Sequence, residues 1–452
     1  MVILSYLNAI QFSLYFSSMW PYLQILDPTS TERFYGNVIA VYSFGQILGA
    51  PLIGFWSNKQ KNVKYPIIAC LALSILGNIM YFTAQVFESH PARRYIVFSS
   101  RAIVGFSAGV FSLLRSYGVM ASKADDRSRT IAFITGGFAL GMTTGPAVQL
   151  LFTPMGYPGW NLVGGMLINM YTAPSFIAMV VNFAGIFVVF FMFEEKYAGI
   201  AKRVQVNENG ELEKVKLPPY DKLAVFICCF IRFTQMFTYT NLETLGSPMA
   251  MTIFALTKKE AVTVVATSHA VLSTLAFLIY GSFVVFKMDK RVNYRKCCIL
   301  GLCILLLFHI VTYSYPFLPG HLSTYNNLDL FNSTTEPVGC NSDRFDWCDT
   351  VKPMNIYLFY IAYSLCIGIA FPTINLSMNT MFTQIIGPRR QATLQGIQQM
   401  FGSMARLTGP LIISNIYQAF GPTISWDIEI LVLLGTIAVP LIFRRRLVPL
   451  KV

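Results

Sequence analysis

The chain has 452 residues, of which 54% are hydrophobic and only 12% are charged. Soluble domains carry about 25% charged residues, so this composition excludes a water-soluble globular protein. The formal net charge of +13 is compatible with a nucleic-acid partner, but the basic residues lie in short loops between apolar runs, which indicates membrane topology instead.

Apolar runs of spanning length follow one another along the chain, since roughly 20 apolar residues suffice for one helical crossing. The first six cover about residues 1–25, 35–57, 65–87, 94–122, 130–152 and 170–193. The second six cover about residues 222–247, 260–286, 297–316, 354–384, 392–417 and 425–443. The sequence therefore predicts an all-α integral membrane protein with twelve spans. We expect a six-helix bundle over 1–195, a cytoplasmic linker over 196–221, and a second six-helix bundle over 222–452.

Lys and Arg are distributed unequally between the two sides of the predicted membrane. The loops of one side hold 23 of them and the loops of the other hold 7. Because cytoplasmic loops collect Lys and Arg, we predict that both termini and the linker are cytoplasmic. The last basic run, Arg444-Arg445-Arg446, is interpreted as a stop-transfer anchor that contacts anionic lipid. The charge thus reports topology and requires no nucleic-acid partner.

The longest loop on the sparsely charged side covers residues 317–352 and is rich in polar residues. It contains a glycosylation sequon at Asn332, which is used only in a lumenal or extracellular compartment; chance occurrence of the sequon is the alternative. It also contains Cys340 and Cys348, which can form a disulfide in an oxidising compartment. The other seven cysteines lie in apolar runs and are expected to act as small hydrophobic residues.

Matching glycine-rich spans indicate an internal repeat. Span five carries Gly137, Gly141, Gly145 and Pro146, and span eleven carries Gly402, Gly409 and Pro410. The two Gly-Pro pairs are 264 residues apart, whereas Gly54 and Gly281, in spans two and eight, are 227 apart. The difference of 37 is about the length of the 317–352 loop, so the halves align once that loop is removed. Parallel six-helix repeats are a known transporter plan, with solute binding near the midplane between halves.

Several of these motifs resemble those of the major facilitator superfamily. GFWSNKQKNVK, from Gly54, resembles its loop between spans two and three; Arg101, Gly105 and Gly109 resemble its span-four motif, and Gly145-Pro146 its span-five motif. The resemblance implies the twelve-helix fold of these transporters. In the superfamily this position usually carries an Asp that forms a charged cytoplasmic latch. This chain has Asn58 there, so that latch is in question here.

A closer resemblance is to the lysosomal branch of this superfamily that is altered in type 7 (variant late-infantile) neuronal ceroid lipofuscinosis. It rests on FSLYFSSMWPYLQILDPT, YSFGQILGAPLIGFWSN, LLRSY, INMYTAP, ETLGSPM, GCNSDRFDWC and ARLTGP, which run along nearly the whole chain. The resemblance implies an endolysosomal membrane protein linked to chloride conduction. The branch also has a dileucine-type sorting signal before span one, which this sequence does not contain, so lysosomal residence is implied by the resemblance alone.

Four arginines lie within predicted spans: Arg101 and Arg115 in span four, Arg232 in span seven and Arg406 in span eleven. Each costs about 2.5–3.5 kcal/mol on insertion scales, so we expect all four to face the interior, water or a partner. Arg101 and Arg115 fall within about 40° of one helix face, roughly 21 Å apart. The alternatives to a pathway role are structural for three of the arginines: backbone hydrogen bonds for Arg101, snorkelling for Arg115, and a tie between helices for Arg406. The sequence leaves open which way Arg232 faces.

Glu243 is the carboxylate that the sequence places well inside a span; Asp427 and Glu429 are predicted near span ends. It shares a face with Arg232, within about 20°. It precedes Gly246-Ser247-Pro248, where the proline is predicted to break the helix and free carbonyls to line a cavity. Glu243 is therefore a candidate proton site, or else an ion-pair partner for an arginine.

The remaining candidates are polar residues within spans and the glycine rows. Polar residues of span one are candidates to line the pathway: Gln11, Ser13, Ser17, Ser18 and Gln24. His269 and His309 are predicted to be structural. The glycines Gly105, Gly109, Gly137, Gly141, Gly145 and Gly409, with Pro146 and Pro410, are predicted to allow close helix packing, with a direct solute role as the alternative.

Four cations against one anion predict a pathway that attracts anions. Arg115 and Glu243 are the first choices for carrying it. The leading hypothesis is a monomeric endolysosomal transport protein that passes a small anion, chloride by resemblance, through a pore or by rocking of the halves. The rivals are a proton-coupled carrier of an organic solute and a non-transporting scaffold or receptor. No enzyme motif, metal-ligand spacing or nucleotide-binding loop is found, so no cofactor is expected.

Overall fold

The computed structural model describes residues 1–30, 32–123, 126–162, 166–200, 204–206, 212–214, 217–286, 292–326 and 338–450. Among the described residues of the first half there are eight α-helices: α1 Val2–Ser13, α2 Tyr15–Leu26, α3 Glu32–Gln60, α4 Lys64–Thr83, α5 His90–Ser107, α6 Val110–Ala121, α7 Arg127–Leu150 and α8 Ala173–Phe191. Two short strands, β1 Trp160–Asn161 and β2 Leu167–Ile168, pair between α7 and α8. Within the linker, β3 Val204–Val206 pairs antiparallel with β4 Leu212–Lys214.

The second half has the helices α9 Lys222–Thr252, α10 Lys258–Val285, α11 Tyr294–Val311, α12 Ile356–Ala362, α13 Gly368–Ile386 and α14 Ala392–Ile442. A π-helical turn, Tyr363–Ile367, joins α12 to α13. Gly421 interrupts α14 with φ 77°, a conformation that glycine adopts without strain, so α14 consists of two helices joined by a sharp bend. This bend separates predicted spans eleven and twelve.

Nine helices within the described residues are long and apolar enough to cross a membrane, counting α5 with α6 and α12 with α13 as one each. The two parts of α14 are one of these nine. Predicted span one corresponds to α1 with α2, and predicted span five to α7; both are helical but are not among the nine. Every predicted apolar run therefore coincides with helix.

Two local predictions were wrong. We expected Pro248 to break its helix, but α9 runs without interruption from Lys222 to Thr252, since neighbouring groups can absorb one missing donor in a long packed helix. Span four was expected to be one helix, but it is divided at Ala108 and Gly109, between α5 and α6.

The glycine rows lie where helices approach most closely. A Cβ on Gly141 would lie 2.5 Å from the Tyr6 carbonyl oxygen, and one on Gly105 would lie 2.1 Å from that of Tyr42. The other glycines of these rows contact the same partner helices or α9: Gly137 and Gly145 face α1, Gly109 faces α3, and Gly409 faces Asn241. Gly105 and Gly109 therefore both approach α3.

The two halves meet chiefly along two helix pairs, α3 with α14 and α7 with α10, with further contacts of α6 with α14 and of α7 with α13. Helix ends and loops rich in Lys and Arg meet at one end of the bundle, which we call the basic end; it contains the α3–α4 turn and the start of α14. At this end the Glu195 carboxylate accepts hydrogen bonds from the backbone N–H groups of Val63 (2.8 Å) and Lys64 (2.6 Å). Arg390 stacks on the Tyr197 ring, 4.6 Å from its centroid, and so joins the halves here.

Part of the 317–352 loop covers the second half at the opposite end. Cys340 and Cys348 are joined by a disulfide. Trp347, beside that disulfide, packs on the backbone of Gly421 and against the Tyr417 ring. The loop therefore covers the bend in α14. The predicted glycosylation site, Asn332, lies outside the described residues.

Candidate functional site

A central cavity separates the two halves. It contains about 1200 Å³ of empty space, mouth included, and is lined by helices of both halves. At its floor, on the side of the basic end, the Ser403 hydroxyl donates to the Gln46 amide oxygen at 2.7 Å. This hydrogen bond joins α3 to α14, so the cavity lies directly above the contact between the halves.

The first half gives the cavity an uncharged wall. Two close aromatic pairs are part of it: Phe12 with Tyr42, 4.9 Å between ring centroids, and Phe111 with Phe138, at 4.4 Å. The polar residues that line this wall carry amides or hydroxyls: Asn8, Gln11, Gln46, Ser74, Ser107 and Thr135. A ligand here meets π faces and neutral hydrogen-bonding groups.

The second half gives the cavity its charge. Arg232 of α9 and Arg406 of α14 both line it. The aromatic and amide residues around them are Tyr239, Tyr280, Phe371, Asn375 and Gln399. Within the described part of the chain, no carboxylate lines this cavity. The electrostatic field inside is therefore positive and originates from one side.

Arg232 is held in place by amides of its own half. Its Nη1 donates to the side-chain oxygens of Gln235 at 3.0 Å and Asn375 at 3.3 Å. Its Nε has no hydrogen-bond partner and lies where a Cβ on Gly402 would be only 3.0 Å away. Gly402 thus leaves room for this side chain between α9 and α14. The guanidinium is fixed but only partly satisfied.

Arg406 reaches across the cavity to the first half. Its guanidinium carbon lies 5.3 Å from the centroid of the Phe12 ring, a cation–π distance. Its side chain is half-buried. Among the described residues, no carboxylate lies within ion-pair distance of it. Arg406 therefore offers a cationic group whose charge is not neutralised by a neighbouring acid.

The two arginines of span four do not line the cavity. Arg115 is 1% exposed and lies one helical turn below Phe111. Its Nε donates to the Gln395 side-chain oxygen at 3.0 Å, across the contact between the halves. Arg101 lies between aromatic rings, 4.7 Å from the Tyr15 centroid and 5.0 Å from that of Tyr42. Arg115, our first choice, therefore lies in the closed contact beneath the pathway.

Close backbone packing and neutral hydrogen bonds close the basic end. A Cβ on Gly54 would lie 2.3 Å from the Ala392 carbonyl oxygen. One turn along each helix, a Cβ on Gly396 would lie 2.3 Å from that of Ala50. Asn58, at the end of α3, donates from Nδ2 to the Thr393 hydroxyl at 2.8 Å. The latch between the halves therefore exists here with an amide where the superfamily usually has a carboxylate.

Glu243 differs from the expectation of a buried carboxylate. It is exposed, four residues beyond the cavity residue Tyr239 on α9. Its charge acts on Tyr239, His269 and Tyr363. The Tyr363 hydroxyl lies 3.4 Å from His269 Nε2. Glu243, His269 and Tyr363 therefore form a cluster beyond Tyr239, at the rim of the cavity, and among the described residues Glu243 has no ion pair with an arginine.

Glu429, which the sequence places near a span end, is buried in the structure. It is 1% exposed, and its Oε2 lies 2.8 Å from Nε2 of His309, which is fully buried. His309 Nδ1 lies 2.8 Å from the Leu305 carbonyl oxygen, so that nitrogen carries a proton. The pair joins α11 to α14, away from the cavity residues. The second half thus contains a buried carboxylate, Glu429, whereas Glu243 is exposed.

One of the polar residues predicted to line the pathway from span one does line the cavity. Gln11 lines the cavity and accepts a hydrogen bond from Asn182 at 3.0 Å. Gln24 is exposed and does not line it. Ser13 and Ser18 donate to carbonyls of their own helices, and the side chain of Ser17 lies outside the described residues. The α3 residues Tyr42 and Gln46 were missed, because nothing in their local pattern separates a cavity face from a packed one.

The His, Cys, Asp and Glu side chains of the chain bear on whether it could hold a metal ion. Within the described ranges, no group of three or more His, Cys, Asp or Glu side chains could hold a metal ion. The chemistry available in the cavity is therefore that of guanidinium groups, amides, hydroxyls and aromatic rings.

Comparison with known proteins extends these observations. The family model for the Major Facilitator Superfamily matches residues 1–324. The Xenopus laevis protein called major facilitator superfamily domain-containing protein 8 is 28% identical over 445 residues, covering 93% of this chain and 85% of that protein.

Two solved structures share the fold. The human organic anion transporter MFSD10 (TETRAN) superposes with a TM-score of 0.65 at 15% identity, over 97% of each chain. The Escherichia coli fucose:proton symporter FucP superposes with a TM-score of 0.67 at 12% identity, over 98% of this chain and 97% of that one. At these identities the superpositions establish the fold alone.

Proposed function

This chain belongs to the Major Facilitator Superfamily and is a multi-pass membrane transporter, and we propose that it carries an anion through the central cavity. On the resemblance to the lysosomal branch, we assign it to the endolysosomal membrane, with chloride as the first anion to test. The basic end is assigned to the cytoplasm, because 23 Lys and Arg residues lie in the loops of that side and 7 in those of the other.

One observation carries the proposal. Arg232 and Arg406 line the cavity, and no carboxylate lines it within the part of the chain that the structure describes. A guanidinium group remains charged in a protein and binds carboxylate or similar anions through two parallel hydrogen bonds. Placing two such charges in a membrane protein is costly unless they meet water or an anion. An anionic solute supplies the missing countercharge.

The contacts at the basic end support a carrier rather than a permanently open channel. Gly54 and Gly396 bring the α3 and α14 backbones together beneath the cavity floor. Around them, Asn58 bonds to Thr393 and Arg115 to Gln395. An anion leaves on this side only after these contacts separate. Rocking of two six-helix halves around a midplane site is the usual way in which such repeats alternate access.

The direct test is flux in proteoliposomes containing the purified full-length chain. Labelled chloride and labelled organic anions are offered in parallel, with and without a pH gradient. We expect saturable anion uptake that is reduced about 10- to 100-fold by Arg406→Gln, the loss expected for one hydrogen bond to a charged group. Arg101→Gln is the matched control, since Arg101 lies in a span but outside the cavity. Absence of flux for every anion would contradict transport and favour a scaffold or receptor.

A second candidate is proton-coupled transport, and the cluster at the cavity rim favours it. Glu243 and His269 interact electrostatically, and His269 lies near the Tyr363 hydroxyl. FucP, which shares the fold, is described as a fucose:proton symporter. If protons are coupled, a pH gradient drives uptake, and Glu243→Gln removes that drive while leaving exchange between equal pH values. If a pH gradient does not change uptake in either the wild type or Glu243→Gln, this candidate is excluded.

A further inference from the structure

The lining of the cavity is the first indication of its ligand. Most of the lining is apolar or aromatic, and a few polar groups converge on the same space. This combination is typical of pockets that bind organic molecules. A solute that carried only charge would leave the apolar part of the lining in contact with water.

The aromatic pairs indicate the nature of that body. Phe12 with Tyr42 and Phe111 with Phe138 belong to the first half. Tyr239 with Phe371, 4.7 Å between ring centroids, belongs to the second half. All six residues line the cavity, so a ligand between the halves meets aromatic faces on both sides. Flat apolar groups pack favourably against such faces.

The arginines of the cavity indicate how many anionic groups the ligand carries. Arg232 already donates Nη1 to Gln235 and Asn375, whereas Arg406 has a ring contact with Phe12 and no carboxylate neighbour among the described side chains. One planar guanidinium binds one carboxylate or sulfonate through two parallel hydrogen bonds. Arg232 adds positive potential from a guanidinium group that two amides already hold in place.

From these features we propose that the transported solute is an organic anion with a flat aromatic or similarly apolar body and a single carboxylate or sulfonate group. The inference rests on the proposed anion transport and narrows its substrate class. The anionic group contacts Arg406, and the body lies between the aromatic pairs of the two halves. Chloride would satisfy the guanidinium but leave the aromatic surfaces in contact with water.

Four probes separate the contribution of charge from that of the ring. They are 2-naphthalenesulfonate, its neutral counterpart 2-naphthalenesulfonamide, methanesulfonate, and chloride. The sulfonate is always ionised, so it does not cross the bilayer as a neutral acid. Binding to the purified full-length protein is measured by calorimetry. We expect 2-naphthalenesulfonate to bind about 10- to 100-fold more tightly than the sulfonamide, and about 100-fold more tightly than methanesulfonate because the ring buries apolar surface.

Two variants locate the site. Arg406→Gln is expected to remove the preference for the sulfonate while the sulfonamide binds as before, which also shows that the variant is folded. Ala139 lines the cavity and is half-buried. Ala139→Trp is expected to weaken binding of both naphthalene probes about tenfold or more by occupying their space, whereas Ala139→Ser serves as the control of unchanged size.

The outcomes distinguish this inference from the function on which it rests. If chloride crosses proteoliposomes in an Arg406-dependent manner while the naphthalene probe binds no better than methanesulfonate, the substrate class is overturned and anion transport stands. If sulfonate and sulfonamide bind equally in the wild type, the role of the charge is overturned. If no anion binds or crosses, both proposals fail.

Discussion

On the cavity wall, the first half contributes amides, hydroxyls and aromatic pairs, whereas the second half contributes both guanidinium groups. Each half has two arginines inside its spans. Those of the first half, Arg101 and Arg115, lie among rings and in the contact between the halves. The repeats thus share helix arrangement but not electrostatics. In the described part of this chain the charge of the cavity wall comes from the second half alone.

The glycines at equivalent places show the same division. Gly54 packs against the Ala392 backbone, but Gly281, its counterpart in the second half, meets nothing within 4 Å. Closure of the basic end therefore depends on the smooth surface of α3, not on the matching surface of α10. Substitutions at such matched positions test the comparison directly.

The largest effect is expected for Gly54→Val. The added side chain would collide with the Ala392 backbone, and a backbone collision cannot be relieved by a rotamer change. We expect about 3 kcal/mol or more of strain in the closed basic end, so that transport is lost. Accessibility of a cysteine introduced near the cavity floor measures the opening. Gly281→Val is the control and should transport normally; equal damage from both substitutions would remove the distinction between the halves.

Next in size is the loss of the buried pair in the second half. Glu429→Ala leaves His309 without its partner, and removing one member of a buried pair costs about 3 kcal/mol. Thermal melting in detergent should report a clear decrease in stability, with anion affinity preserved in the folded fraction. Glu429→Gln retains an acceptor for the histidine and should lose less. A change in anion affinity at unchanged stability would connect this pair to the cavity, against our assignment.

Exchanging the charge of the cavity wall is expected to have an intermediate effect. Arg406→Gln should cost about 1.5–3 kcal/mol of anion binding, the contribution of a hydrogen bond to a charged group. Arg406→Lys keeps the charge but not the fork, and should lie between wild type and Gln. Isothermal calorimetry with 2-naphthalenesulfonate measures the series. If Arg101→Gln, in the first half, weakens binding equally, the second half is not the source of the charge.

A smaller effect is expected at the neutral latch. Asn58 lies beside the start of α14, where it bonds to Thr393. Asn58→Asp places a carboxylate at a helix N-terminus, which is worth about 0.3–1 kcal/mol. We expect a more stable closed basic end, with a stability that decreases as salt is added. Asn58→Ala should move the equilibrium the other way. A melting temperature that is the same in all three proteins would show that the latch does not contribute.

The smallest effect concerns an ion pair of the first half at the opposite end. Burial alone raises the pKa of the Asp27 carboxyl, but hydrogen bonds from Thr29 and the charges of Arg94 and His90 outweigh it, so this pKa lies below its usual value. A lowered folded-state pKa stabilises the protein above the unfolded pKa of about 3.9. The contribution is lost as pH falls through the folded pKa.

Melting of Asp27→Asn should therefore lie below that of wild type near neutral pH, and the difference should disappear in strong acid. Between pH 7 and pH 5 the difference should not decrease, because both values are above the unfolded pKa. A difference that is already lost at pH 5 would contradict the sign of this shift.

Apolar periodicity and length predicted the helices well, because burying a polar backbone in lipid leaves helix as the favoured solution. The positions at which a helix is interrupted were harder to predict. Pro248 does not end α9, while Ala108 and Gly109 divide span four without a proline. The sequence also did not predict that Glu429, eight residues beyond the bend at Gly421, is buried against His309.

The sequence predicted which type of residue forms the site, but not which of these residues line the cavity. The insertion cost of arginine correctly directed attention to four side chains, but which of them face the cavity depends on how the helices rotate against one another. Helical-wheel geometry relates Arg101 to Arg115 and says nothing about Gln395, which is 280 residues from Arg115. Whether Arg232 and Arg406 bind the solute stays a prediction, as does the role of Glu243.

Counterflow in proteoliposomes tests the central claim most directly. Vesicles loaded with unlabelled 2-naphthalenesulfonate are diluted into the labelled compound, for wild type and for Arg406→Gln. An alternating-access carrier that holds its anion on the second half predicts uptake accelerated by the internal anion in the wild type, and little or none in the variant. Uptake that ignores the internal anion, or that is equal in both proteins, would contradict this account.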